Sequence, residues 1–151
     1  MFNAFEYFST IYTGVGLSKI YKASGISNVE ELLSDLTNAH SDCLIVRDSG
    51  DGFLNFRDRS LDTGYHTIYI FSKGKFNDHS SNLHAKRIAM SYAIALFWRM
   101  KQDAVDFGDP AFGFDPSRVD YAEIGPIGQS FYGYSFSFTM EHSFWLSWPK
   151  T

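Results

Sequence analysis

The side chains in this sequence best suited to metal or nucleophilic chemistry are five histidines, a single cysteine and one acid-bearing turn. The histidines are His40, His66, His79, His84 and His142. His79 and His84 stand five apart, so a helix would not bring them to one face as an i, i+4 pair. No His-Glu-x-x-His pattern occurs. His66 lies inside an aromatic and β-branched run and reads as a cross-strand partner rather than a ligand. A His/Asp site assembled from distant segments is left open. Cys43 begins the apolar run Cys43-Leu44-Ile45-Val46, as a small buried hydrophobe would. One thiol forms no intrachain disulfide and no cysteine-based metal site. The run Asp48-Ser49-Gly50-Asp51-Gly52 superficially resembles a calcium loop, but that loop needs alternating acids and a glutamate at its twelfth position. Here the second acid falls three positions on and Arg59 stands at the twelfth, so a hairpin turn is the stronger reading. Phosphate-loop, nucleophile-elbow and dinucleotide fingerprints are missing. These residues assign no catalytic group, cofactor or metal.

The elements that would position any site belong to one domain. The chain has 151 residues, 44% of them hydrophobic, enough for a sizeable core. Aromatic residues reach 18%, and such side chains carry large contact area in cores and interfaces. The net charge of -4 and the scattered Lys and Arg argue against a general nucleic-acid binder, which would show a basic stripe. No apolar run approaches the roughly 18 residues of a membrane span. The first residues lack the basic and apolar regions of a signal peptide, so folding in a cytoplasm is expected.

Phe2, Phe5, Phe8 and Ile11 are spaced for a first helix. A second is expected over 28–39, with Asn28 as N-cap, Glu31 three positions on, and a stripe of Val29, Leu32, Leu33 and Leu36. Residues 43–47 and 53–56 read as short strands, 57–64 as a polar connection, and 65–72 as a central strand apolar on both faces. Asp78 or Ser80 is placed to cap a long helix over 83–101, expected to lay Met90, Ile94, Phe97 and Trp98 on the sheet. Residues 106–117 are a Gly/Pro-rich loop, 118–124 a strand and 125–128 a turn. The fold class is α+β: an antiparallel or mixed β-sheet with a long helix packed across one face and N-terminal helices, all helices on one face. One domain spans 1–142, followed by an aromatic tail over 143–151.

The strongest pattern lies near the end. Tyr132, Tyr134, Phe136, Phe138 and Met140 alternate with Gly133, Ser135, Ser137, Thr139 and Glu141. Period two marks a strand with one buried face and one small, polar face. A face of Ser, Thr and Gly suits close approach by another copy of the chain. Phe144, Trp145 and Trp148 follow with no obvious core left to fill. The candidate oligomer interface is therefore Tyr132, Tyr134, Ser135, Ser137, Phe144, Trp145 and Trp148. The same tail can instead fold back over its own sheet.

This layout resembles bacteriophage tail-terminator, or tail-completion, proteins. The residues that carry the likeness are the closing pair Ile124-Gly-Pro-Ile-Gly-Gln-Ser-Phe-Tyr-Gly-Tyr-Ser-Phe-Ser-Phe, with Cys43-Leu-Ile-Val-Arg-Asp and Tyr65-His-Thr-Ile-Tyr-Ile-Phe as paired early strands. The likeness is one of pattern over 28–142 and has no short diagnostic motif. It implies a non-enzymatic virion protein. Such proteins form a ring, commonly of six subunits, at the head-proximal end of the tail tube, where they stop tube growth and present a surface to the neck. The partners implied are other copies, tail-tube and neck proteins, with DNA as passing cargo and no membrane. A head–tail adaptor or head-completion protein is the neighbouring alternative. A small ligand-binding or hydrolytic α+β domain is the alternative from another class.

The lone thiol and unpaired histidines generate the first prediction. Chelation with EDTA leaves the thermal unfolding midpoint unchanged. A drop that calcium or zinc restores would show that the 48–52 turn or the histidines hold a metal.

Overall fold

The computed structural model describes residues 2–35, 42–48, 50–57, 61–75, 78–127 and 130–143. In chain order the elements are α1 (Ala4–Ile11), β1 (Lys19–Ala23), α2 (Ile26–Asp35), β2 (Asp42–Arg47), β3 (Gly52–Asn55), β4 (Leu61–Lys73), α3 (His79–Asp103), β5 (Asp120–Ile127) and β6 (Phe131–Ser143). A 3-10 turn at Thr13–Val15 follows α1 and closes on Gly16, whose positive φ of 98° suits a residue without a Cβ. Side chains cap the two helices of the main core layer. Asn3 accepts from the Glu6 amide at 3.0 Å, and Asp78 from the Ser81 amide at 3.1 Å. Each satisfies a donor that the first helical turn leaves over.

The strands form one six-stranded sheet in the order β1-β2-β4-β6-β5, with β3 also paired to β4. β1 and β2 run parallel and the other pairs antiparallel, so the sheet is mixed and the class is α+β. Its spine is the β4–β6 pair, in register from Leu61 opposite Ser143 to Lys73 opposite Phe131. Alternation along that pair sorts the residues into two cores. On one face Leu44, Val46, Ile68, Ile70, Phe136, Phe138 and Met140 meet α1 and α3. On the other, Cys43, Ile45, Tyr69, Phe71 and Phe131 meet Val29 and Leu33 of α2. The helices are therefore not all on one face, because the crossover from β1 to β2 carries α2 to the far side.

Other expectations shift for local reasons. Asn28 lies inside α2, and its amide oxygen accepts from the Ser24 amide at 3.2 Å, binding the chain ahead of the helix. Leu36 and the expected helix end lie outside the described residues. Residues 61–64, expected in a connection, belong to β4 because β3 and β6 pair with them. β5 continues through the expected turn to Ile127, with a register shift between Ile124 and Ile127. β2 and β3 do not form a hairpin. Both pair with the same edge of β4: Val46 lies opposite Ile68 and Gly52 opposite Gly64. Six steps on one side match four on the other, so the chain between them holds two residues in excess. Two is even, and the side-chain alternation resumes in phase.

The long helix is rotated from its expected setting. Ala85, Ala89, Ala93, Leu96 and Met100 form the buried seam of α3. Alanines at i, i+4 spacing let the helix approach a sheet that already presents large Phe and Ile side chains. Ile94 and Trp98, about one residue around the helix, are 63% and 61% exposed. Phe97 and Met90 are partly buried, and Phe97 lies 5.4–6.1 Å, ring to ring, from Phe114, Phe136 and Phe138.

This setting predicts opposite outcomes at neighbouring positions. Ala89→Leu overpacks the seam and lowers stability by about 1–3 kcal/mol. Ile94→Ala changes it by no more than about 0.5 kcal/mol. Denaturant midpoints check both, and a reversed order would mean that α3 packs on its Ile94 side.

Candidate functional site

Because alanines face the sheet, the large residues of α3 line a groove instead. Its floor is Phe97, Phe114 and Phe136, and its rims are Ile94 and Trp98 on one side and Tyr121 of β5 on the other. The cavity holds about 320 Å³ and is mainly apolar. Tyr121 is held upright by ring contacts of 5.7 Å to Tyr134 and 6.4 Å to Phe136. The Lys101 ammonium sits 4.9 Å from the centre of a Trp98 ring, a cation–π contact at the rim. The loop after α3 closes the groove's end. Phe114 bridges Met140, and the Glu141 amide donates to the Gly113 carbonyl at 2.8 Å.

A second apolar patch lies at the opposite edge of the sheet. β3 extends β4 beyond the end of β2, and Phe53, Leu54 and Phe56 are exposed there. Phe53 packs on Tyr65 at 6.1 Å, and Tyr65 is itself exposed. Exposed hydrophobics gathered into patches mark contact surfaces more than scattered ones do.

The residues expected at an interface are dispersed. Tyr132 is buried on the α3 side, where the Lys86 ammonium lies over its ring at 5.8 Å and pairs with Glu123. Tyr134 is partly buried beside Phe136. Both pack within their own fold, Tyr134 with part of its ring accessible. Ser135 and Ser137 lie on the other face, in the part that α2 does not cover, and Ser137 is exposed. There the Thr67 and Ser137 hydroxyls meet at 3.3 Å across the β4–β6 pair. The small polar face is thus present, bordered by Tyr65, Arg118 and Asp120 in a cavity of about 390 Å³. Phe144, Trp145 and Trp148 lie outside the described residues.

The ionisable side chains serve mainly to tie elements together. The Tyr7 hydroxyl donates to Asp103 at 2.8 Å, and the Arg99 guanidinium donates to the same carboxylate at 3.1 Å, joining α1 to the end of α3. Burial and that carboxylate push the Tyr7 phenol well up. Asp42 accepts from Ser72 at 2.6 Å and from Tyr92 at 3.0 Å, joining β2, β4 and α3. Burial, aided by Asp42, pushes the Cys43 thiol up to about 12, which suppresses thiolate chemistry. His66 stacks on its cross-strand partner Phe138 at 5.6 Å and meets the edge of Phe2 at 5.2 Å. It shares a cavity of about 430 Å³ with His142 and Asp62. The His142 Nε2 is buried and without a hydrogen-bond partner among the described residues. Within the described residues, no group of three or more His, Cys, Asp or Glu side chains is gathered to hold a metal, and no helix is long and apolar enough to cross a membrane.

Comparison with known proteins adds no assignment. No protein-family model and no curated protein sequence matches the chain.

Sequence reasoning assigned Ile94 and Trp98 to the core and passed over Tyr121 and the β3 edge. The available signal was the alanine spacing at 85, 89 and 93, which competes with Ile94 and Trp98 for the sheet-facing arc.

The histidines generate a pH prediction. Burial lowers both His66 and His142 below the ordinary 6.5, with Asp62 opposing in each case. The unfolded chain therefore takes up protons before the fold does, and stability present above about pH 6.5 is lost as pH falls. His66→Phe keeps the ring stack and reduces this loss. Unfolding midpoints of both proteins between about pH 7.5 and 5 check it, and parallel curves would remove His66 as a cause.

Proposed function

We propose that this chain is a ring-forming structural subunit of a virion, acting as a tail terminator at the head-proximal end of a phage tail. The observation that carries the reading is the pair of unlike apolar patches on opposite edges of one sheet. One is the α3/β5 groove and the other is the exposed β3 edge. Unlike patches that meet between copies give a heterologous, head-to-tail contact, which closes into a ring when the rotation allows. The resemblance of residues 124–138 and of the early strands to tail-completion proteins supports placing that ring on a tail. The net charge of -4 suits a channel through which DNA slides without adhering. The partners are then other copies, the tail tube and the neck, and the protein works within the virion after synthesis in a host cytoplasm. A head–tail adaptor would use the same ring with different neighbours.

A second reading rests on a separate observation. The cavity lined by His66, His142 and Asp62, with the His142 Nε2 lacking a partner among the described residues, has the mixed lining of a small-ligand site. Ligand-binding or hydrolytic activity there would need no ring.

Light scattering and electron microscopy of the purified chain separate the two. The ring reading expects a closed assembly several times the 17.2 kDa chain mass that caps tail tubes. A monomer that is absent from particles would overturn it.

A further inference from the structure

We propose that the Phe2–His66 ring pair is a gate between two cavities, closed near neutral pH and opened when acid charges the imidazole. The gate rests on neither reading of function given above. One cavity, of about 430 Å³, lies toward β3 and is bordered by Asp51, Asp62, Gly64 and His142. The other, of about 310 Å³, lies at the start of α1 and is bordered by Asn3, Lys22, Arg47 and Asp48. Phe2 and His66 line both cavities, and no other described residue does. Their rings meet at 5.2 Å in a T-shaped contact, which makes the pair the partition.

The two members of the partition are held differently. The His66 ring stacks on Phe138 at 5.6 Å, and the main chains of both belong to the β4–β6 ladder. The His66 Nε2 leans over Gly64, 3.1 Å from where a Cβ on that residue would stand. The missing side chain at 64 therefore gives the imidazole its place on the side of the first cavity. Phe2 belongs to no helix or strand. It precedes Asn3, the N-cap of α1, and is buried with ring contacts to His66, Tyr7 and Phe138.

Charge decides when the partition yields. An imidazolium among these rings is poorly hydrated, and a buried charge needs water or a partner. Asp62 favours the charged form, but burial and His142 oppose it and prevail, so His66 titrates below its ordinary 6.5. His142 is lowered in turn by burial and by the chain's α-ammonium, against Asp62. Asp51 borders the first cavity, while in the second Lys22 pairs with Asp48 at 3.7 Å and Arg47 adds a cation. Asp115, Arg118 and Asp120 stand behind β4, on the face that strand alternation turns away from the His66 ring. Swinging Phe2 aside gives up ring contacts but leaves the β4–β6 ladder intact, and it brings water from both cavities to the imidazole. Moving Phe138 instead would break that ladder. Because the closed gate disfavours the proton, the proton favours the open gate.

Fluorine NMR of the full chain carrying Phe2→p-fluorophenylalanine tests this. Between about pH 7.5 and 5 the resonance should move toward its position in the urea-unfolded chain, ahead of any loss of far-UV circular dichroism. Adding His66→Phe should hold the resonance in place. In Phe2→Ala, the His66 ring followed by imidazole NMR should titrate closer to 6.5 than in the unaltered chain. That titration decides the matter even where His66→Phe does not fold. A resonance that stays put while His66 titrates would overturn the gate. So would a movement that persists with His66→Phe or that coincides with global unfolding. An unchanged His66 titration in Phe2→Ala would overturn Phe2 as its cover.

Discussion

The antiparallel pairing of β4 with β6 is the constraint on which the rest of this molecule depends. Thirteen residues of each strand lie in register, and every other strand except β1 joins the sheet through one of the two. A strand has a period of two, so sliding this pair by one residue would exchange its faces. With β4 held in place, Phe136 and Phe138 of β6 would then meet the α2 side, and Ser135 and Ser137 the α3 side. Gly133 helps to hold the register. A Cβ there would fall on the Ile70 carbonyl oxygen, so only glycine lets the strands approach so closely at that point.

From that pairing follows the setting of α3, and from α3 follows the surface. The sheet presents bulky rings, so the helix can lie close only on alanines. Its large residues are displaced to the flank, where Ile94 and Trp98 stand exposed among the described residues. The groove is thus a by-product of how the core is filled. Asp42 and Asp103 then fasten the layers at two points: one carboxylate joins β2, β4 and α3, and the other joins α1 to the C-terminal turn of α3. These polar ties are local, while the apolar packing is spread along the whole pair.

Much of the fold was legible in the residues because burial imposes periods. The alternation from Tyr132 to Met140 reported the true faces of β6, and the run around Ile68 reported a central strand. Asp78 was a legible cap because few side chains can satisfy the first-turn amides. β1 was missed. Lys19-Ile20-Tyr21-Lys22-Ala23 is a short edge strand whose partner, β2, is chosen by the crossover through α2, a tertiary fact without a local mark. The rotation of α3 was missed because hydrophobicity gives weight to Ile and Trp, whereas close approach selects small residues. The setting of the candidate interface residues was legible in part. The Ser135 and Ser137 face follows from alternation, but the burial of Tyr132 depends on Lys86 of a distant helix, and the groove depends on three segments meeting.

The excess of two residues between β2 and β3 has a consequence for how this protein can be handled. Each strand holds its own place against β4, and the link between them does not transmit register. Chain length and strand alignment are therefore separate variables at that position. A fluorophore tag or a small folded insert placed between Asp48 and Asp51, which keep backbone hydrogen bonds to Ala23 and Tyr65, would leave both alignments as they are. It would also stand beside Phe53 and Leu54, where a reporter senses whether that edge is open to solvent or covered by a neighbour.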